Sequence, residues 1–215
     1  MGGTDGWGPV LVPEPDEPVF EERWQGRAFA LGLLSIPLSG ANIDAVRHAV
    51  NRLDRQDYLD DGYYGRWLHG AENLLHDSSI IAPGAVEARA ANLSGDSVGE
   101  PSAPEPDKPD YAQTAEGSIR SVSAPQKFKP ADRVRAKEFE PAGHTRLPRY
   151  VMGHEGTVVI VEPAQVLPDT NAHFQGEHAQ WVYTVRFDSH ELFGADAERF
   201  NLNIDLYESY LENAA

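Results

Sequence analysis

Trp181-Val182-Tyr183-Thr184-Val185-Arg186-Phe187 alternates large apolar residues with smaller or polar ones, the signature of a strand with one buried face. Working outward, Gly156-Thr157-Val158-Val159-Ile160-Val161 is a short β-branched run, and Asn203-Ile204-Asp205-Leu206-Tyr207 alternates like the first stretch. Around Val134 the basic residues Lys127, Lys129, Arg133, Arg135 and Lys137 recur at alternate positions, the solvated outer face of a further strand. Four or five short strands within residues 127–215, joined by loops holding Gly and Pro, predict a small closed or partly open β-barrel.

Upstream the pattern changes. Residues 92–126 are dominated by Ser, Pro, Gly, Asp and Glu, as in Pro104-Glu105-Pro106-Asp107-Lys108-Pro109, a linker composition. Residues 21–91 carry helical spacing. Phe20, Trp24, Ala28, Leu31 and Leu34 form one stripe, which Gly32 weakens and Pro37 ends. Asn42 is the predicted N-cap of a second helix, with Asp44 in its first turn and Val46, Ala49, Val50 and Leu53 as its apolar stripe. A third helix begins near Asp60 or Asp61 and aligns Tyr64, Trp67, Leu68, Ala71, Leu74 and Leu75. A weaker fourth covers about Pro83–Ala91 with proline at its first position. Residues 1–20, rich in Gly and Pro, read as an extended arm of the kind that lies on a partner. The fold class is therefore α+β, a helical N-terminal half with an extended arm followed by a C-terminal β-barrel.

Composition excludes several functions. A net charge of −16 disfavours nucleic acid. No apolar run is long enough for a transmembrane helix, and the first residues lack the features of a signal peptide, so a cytoplasmic location is expected. The chain has no cysteine, hence no disulfide and no thiolate ligand. It contains no Gly-rich phosphate loop, nucleophile elbow or His-Glu-x-x-His. The eight histidines are scattered; His173 and His178 share a polar loop, and His69 and His76 are seven apart. Surface or packing histidines far outnumber ligands, so no metal site is assigned to this chain.

Two arginines stand out instead. Arg47 sits one step from the second helix's apolar stripe, and Arg146 precedes Leu147-Pro148 in Gly143-His144-Thr145-Arg146-Leu147-Pro148-Arg149-Tyr150. A guanidinium holds a multi-oxygen anion with several fixed N–H donors. Without cysteine or a metal motif, such an anion comes from another chain, which points to a subunit completing a partner's active site. The bland alternatives stay open: an ion pair of Arg47 with Asp44 or a contact with Asn51, and a loop role for Arg146. Tyr63, Tyr64 and Trp67 read either as core or interface aromatics or as a substrate wall.

In order and spacing, these segments resemble the β subunit of nitrile hydratase. The resemblance runs through Gly2-Gly3-Thr4-Asp5-Gly6-Trp7-Gly8-Pro9, Asp16-Glu17-Pro18-Val19-Phe20, Ile43-Asp44-Ala45-Val46-Arg47 and Tyr63-Tyr64. It continues in Gly143-His144-Thr145-Arg146, Pro148-Arg149-Tyr150-Val151, Tyr183-Thr184-Val185-Arg186-Phe187 and Asp205-Leu206-Tyr207-Glu208-Ser209-Tyr210-Leu211. It implies an SH3-like barrel in the C-terminal half and an αβ heterodimer, commonly paired as α2β2, that hydrates nitriles to amides. It implies Co(III) or Fe(III) bound wholly by the α subunit, in a cluster with cysteines oxidised to sulfenic and sulfinic acids. By motif, Arg47 and Arg146 match the arginines that bond those oxygens, Tyr63 an orienting tyrosine, and Ile43, Val46 and Trp67 positions lining the substrate pocket. Relative to the family, the arm has fewer residues before its Gly-Gly pair, and small Gly65 stands where others are bulky. Trp67, Asn171 and the short loop after Pro168-Asp169 lean toward cobalt-type members, although Glu208-Ser209-Tyr210-Leu211 also resembles iron-type ones. Two other readings compete: a subunit of a thiocyanate-type hydrolase, and a non-enzymatic SH3-like interaction module or metallochaperone.

Overall fold

The structure, a computed structural model, describes residue 12 and residues 16–109 and 117–214. The arm expected over residues 1–20 lies largely outside these, as does part of the 92–126 linker. The described chain forms two units, one from residues 16–109 with 172–174 and one from residues 117–171 and 175–214.

The first unit is helical: α1 (Arg23–Ser39), α2 (Ile43–Asn51), α3 (Arg55–Asp60), α4 (Gly62–Asp77) and α5 (Ala85–Leu93). Pro37 does not end α1 as expected. A proline removes one N–H and crowds the carbonyl four residues back, but here only the last turn follows it. The stop is Gly40, whose positive φ of 72° suits glycine and lets the Ala41 N–H reach the Ile36 carbonyl at 3.1 Å.

The buried face of α1 also differs from expectation. The large stripe of Trp24, Leu31 and Leu34 does not enter the core; the small residues Ala28, Gly32, Ser35 and Ser39 do. They allow α4 to approach closely. A Cβ added at Gly32 would lie 2.5 Å from Trp67 Cε3, and one added at Gly70 of α4 would lie 2.8 Å from Val50 Cγ2 of α2. The two serines satisfy their hydroxyls on their own helix, Ser35 on the Gly32 carbonyl at 2.8 Å and Ser39 on that of Ile36 at 3.2 Å. Leu31, Leu34 and Leu38 are left 49%, 57% and 49% exposed.

α2 starts as its sequence requires: the Asn42 side chain accepts from the N–H groups of Asp44 and Ala45 at 3.0 and 2.9 Å. Its buried residues Ala45 and Ala49 pack with Ala41 and Leu74. α3 was not anticipated, because its six residues carry no stripe; Asp54 caps it through the Asp57 N–H. α5 begins two residues after Pro83, since Gly84 at φ 78° intervenes.

The second unit is an antiparallel sheet of β1 (Arg133–Ala136), β2 (Glu155–Gln165), β3 (Gln180–Asp188), β4 (Asn201–Tyr207) and β5 (Leu211–Asn213), ordered β4-β3-β2-β1-β5. Short helices α6 (Pro168–Asn171) and α7 (Ser189–Phe193) join β2 to β3 and β3 to β4. Arg133 and Arg135 do flank buried Val134, and both bond Glu155 on β2, at 3.0 and 2.7 Å. β3 departs from simple alternation: Val182, Tyr183, Thr184 and Val185 are all buried, so its middle is covered on both faces. Gly156 permits this packing, because a Cβ there would sit 2.6 Å from Val185 Cγ1 and 2.9 Å from the Arg186 carbonyl oxygen.

The core gathers Phe128, Val134, Val158, Tyr183, Phe187, Leu206 and Leu211. Among the described residues β4 does not pair with β5, so the sheet is open rather than a closed barrel. A 3-10 turn, Glu208–Tyr210, carries the chain from β4 on one edge to β5 beside β1 on the other. No helix among the described residues is long and apolar enough to cross a membrane.

Candidate functional site

In the helical unit, α2 presents Arg47 and Ile43 to solvent and keeps Val46 half-buried. Arg47 Nη1 bonds Asp44 Oδ1 at 2.9 Å, with the arginine side chain 46% exposed and the aspartate 7%. The pair is thus an almost buried carboxylate bonded to a guanidinium that remains accessible. Asp44 is held in turn at the helix start, where its own N–H bonds Asn42.

α4 supplies Tyr63 and Trp67, with ring centroids 6.2 Å apart. Trp67 stacks edge-on to Phe29 of α1 at 5.2 Å, and Tyr64 sits 5.1 Å from Phe20. Tyr64 and Trp67 are therefore packing residues of an aromatic cluster, whereas Tyr63 projects from it and is 60% exposed. The helices carrying Arg47 and Tyr63 pack together, but no hydrogen bond or ring contact joins these two residues among the described ones.

In the sheet unit, Arg146 lies in the irregular segment between β1 and β2, before a 3-10 turn, Arg149–Val151. Its side chain is exposed, while Leu147 beside it is buried in the core. Arg149 pairs with Glu140 at 2.6 Å; no such ion pair engages Arg146 among the described residues. The Arg146 backbone N–H donates to Tyr210 Oη at 3.1 Å, and that hydroxyl donates to Asp169. Burial, then the Asp169 bond, pushes the Tyr210 phenol well above its usual range. Sequence reasoning assigned no role to Tyr210 or Asp169, because nothing local marks a bond between residues so far apart in the chain.

The histidines fall elsewhere. The His173 ring meets that of His48 of α2 edge-on at 4.6 Å, whereas His178 bonds the Gln175 carbonyl at 3.0 Å. Burial, then His173 and Arg52, lower the His48 pKa, against Asp77. Both rings border a cavity of about 430 Å³ with Arg52, Asp77 and Lys108. Among the described residues, no group of three His, Asp or Glu is disposed to hold a metal ion.

The architecture is that of a two-part α+β chain, helices first and an open antiparallel sheet second, with its candidate donors facing outward. Comparison with known proteins gives the same division. The family Nitrile hydratase beta subunit, N-terminal matches residues 1–117, and Nitrile hydratase beta subunit, C-terminal matches residues 109–213. The nitrile hydratase β subunit of Pseudomonas putida is 36% identical over 99% of this chain and 97% of its own length. The cobalt-containing nitrile hydratase β subunit of Pseudonocardia thermophila is 32% identical over 99% and 94%. The thiocyanate hydrolase α subunit of Thiobacillus thioparus is 27% identical over 50% of this chain and 92% of its own. The chain belongs to the nitrile hydratase β-subunit family. Nitrile hydratase is a hydro-lyase, and chains of this family are one part of that enzyme complex.

Proposed function

We propose that this chain completes a nitrile-hydrating site whose metal is carried by an α subunit, within an αβ pair that doubles to α2β2 in the cytoplasm. The division of labour follows from donor chemistry. Guanidinium and phenol groups are hydrogen-bond donors at neutral pH, so the residues presented here fit the oxygens surrounding a metal. The ligands themselves, oxidised cysteines, belong to the partner, this chain having none. The cobalt-containing relatives support Co(III) over Fe(III).

The observation that carries this reading is the outward-facing Arg47 guanidinium held by the nearly buried Asp44. Arg47 and Arg146 donate to sulfenate and sulfinate oxygens and fix their orientation; buried oxyanions need such donors. When bound, the metal supplies Lewis acidity toward the nitrile nitrogen. Tyr63 positions the attacking group through its hydroxyl, and Ile43, Val46 and Trp67 shape the apolar side of the pocket. The exposed Leu31, Leu34 and Leu38 give the partner an apolar surface to cover. The working parts are an arm over residues 1–20, helices over 21–91, a linker over 92–126 and an SH3-like barrel of the partly open kind over 127–215. The 3-10 link between β4 and β5 supports the barrel reading.

Arg47→Lys and Arg146→Lys test the site in the co-expressed complex. Each is expected to leave assembly and bound metal intact while lowering kcat at least about 100-fold, the scale for losing one preorganised donor. Full turnover in either variant removes that residue's role. Assaying thiocyanate beside a small nitrile separates the second reading, favoured by the half-chain match to thiocyanate hydrolase. Release of ammonia from thiocyanate without nitrile hydration would establish it.

A further inference from the structure

We infer that Tyr210, oriented by Asp169, is the positioning residue for Arg146, setting where its guanidinium is delivered through a bond to its backbone. The inference rests on the proposed role of Arg146. The segment bearing Arg146 belongs to neither a helix nor a strand, so no ladder fixes its backbone. Two anchors replace one: Leu147, buried in the core, and the Arg146 N–H bond to Tyr210 Oη.

Tyr210 is itself firmly held. It is buried, its ring lies 5.5 Å from that of Tyr207, and it leads directly into β5, where Leu211 pairs with Ala136 of β1. A phenol has one hydrogen to give. Because Asp169 takes that hydrogen, the oxygen's lone pairs accept from the loop, from the Arg146 N–H and from the Thr145 side chain beside it. Asp169 on α6 therefore fixes the direction of acceptance, and the rigidity of the sheet passes to a loop that has none of its own. Geometry at a reacting centre tolerates little displacement.

The fold holds its own control. Tyr183 is built the same way: buried, donating to Glu208 at 2.5 Å and accepting from the Lys127 N–H at 2.9 Å. Its acceptor role serves the entry to β1 and not the arginine loop. Tyr210→Phe and Tyr183→Phe each delete one hydroxyl of a sheet-core phenol, but only the first releases Arg146.

The test compares both variants with Asp169→Asn and Arg146→Lys in the metal-loaded αβ complex, by steady-state kinetics and by amide exchange of the 143–150 segment. Tyr210→Phe is expected to lower kcat about 10–100-fold with KM nearly unchanged, the range for groups that orient a functional residue, and to speed exchange at the Arg146 amide. Asp169→Asn, which still offers an acceptor oxygen, falls between it and wild type. Tyr183→Phe keeps wild-type kcat. Wild-type kcat in Tyr210→Phe, or equal losses in the two tyrosine variants, overturns the inference. If Arg146→Lys retains full turnover, the proposed role of Arg146 fails and the inference with it. Loss in Arg146→Lys beside an unaffected Tyr210→Phe overturns the positioning role alone.

Discussion

The sheet unit and the helical unit put their apolar residues to opposite uses. The sheet unit builds its core from large side chains, among them Phe128, Tyr183, Phe187 and Leu206. The helical unit builds its buried cluster from Ala41, Ala45, Ala49 and Leu74 and leaves Leu31, Leu33, Leu34, Leu38 and Ile43 exposed. Apolar content alone therefore does not say where a residue goes. Small residues with backbone contact satisfy one unit internally and free its leucines for another surface.

The comparison can be broken at several points. The largest effect is expected from Phe187→Ala, which empties a fully buried position of the sheet unit; a loss of about 3–5 kcal/mol in chemical denaturation is the scale for such truncations. A loss below about 1 kcal/mol would show that this core is not what holds the unit. Next comes the pair Leu31→Ser and Leu34→Ser. These should change the stability of the isolated chain by less than about 0.5 kcal/mol, as exposed sites do, yet weaken binding to the α subunit by about 100-fold, at roughly 1–2 kcal/mol per leucine removed from the interface. Unchanged affinity in a titration would mean that the leucine face is covered by something else.

Gly32→Ala probes the close approach of α1 and α4. Alanine favours helix by about 1 kcal/mol, but its Cβ at 2.5 Å from Trp67 Cε3 forces the indole to move. Overpacking of this kind costs about 1–3 kcal/mol, so a net destabilisation is expected in thermal melts, and a raised Tm would refute the packing argument.

The smallest effects concern pH, and they should differ between the units. Burial, then the neighbouring His173 and Arg52, hold the His48 imidazole below its ordinary pKa of 6.5, so the neutral ring is favoured. That stability is present above pH 6.5 and is lost as pH falls through the lower folded value. Burial, then the Glu208 bond, push the Tyr183 phenol up to about 12. Its contribution is present below pH 10 and lost as pH rises through about 12. Acid should therefore erode the helical ellipticity first, an effect that His48→Gln reduces, whereas alkali should first erode the near-ultraviolet signal of the sheet unit.

What could be read from the sequence was what local chemistry settles. Asn42 as a cap needs only a side-chain oxygen two and three residues ahead of free N–H groups, and Arg133-Val134-Arg135 alternates because a strand has two faces. The buried face of α1 was not legible, since Leu31 and Leu34 outweigh Gly32 and Ser35 in any hydrophobic reading, although the small residues win by proximity. Pro37 lies inside α1 rather than ending it because its cost depends on how much helix follows. In the candidate site, Arg47 and Arg146 stood out as charges in apolar or restrained settings. The supports beneath them differ. Asp44 is three residues from Arg47 and could be foreseen as its partner, but Tyr210 and Asp169 are brought to Arg146 only by the folded sheet.

β1 lies between β2 and β5, so one of its two neighbours is the strand most distant from it in the chain. Closing so long a stretch costs entropy before any ladder bond offsets it, and such pairings form late. During synthesis the helices emerge whole while β1 still waits for its second neighbour. Residues Leu211–Asn213 therefore complete the sheet, and a chain cut before them leaves β1 paired with β2 alone.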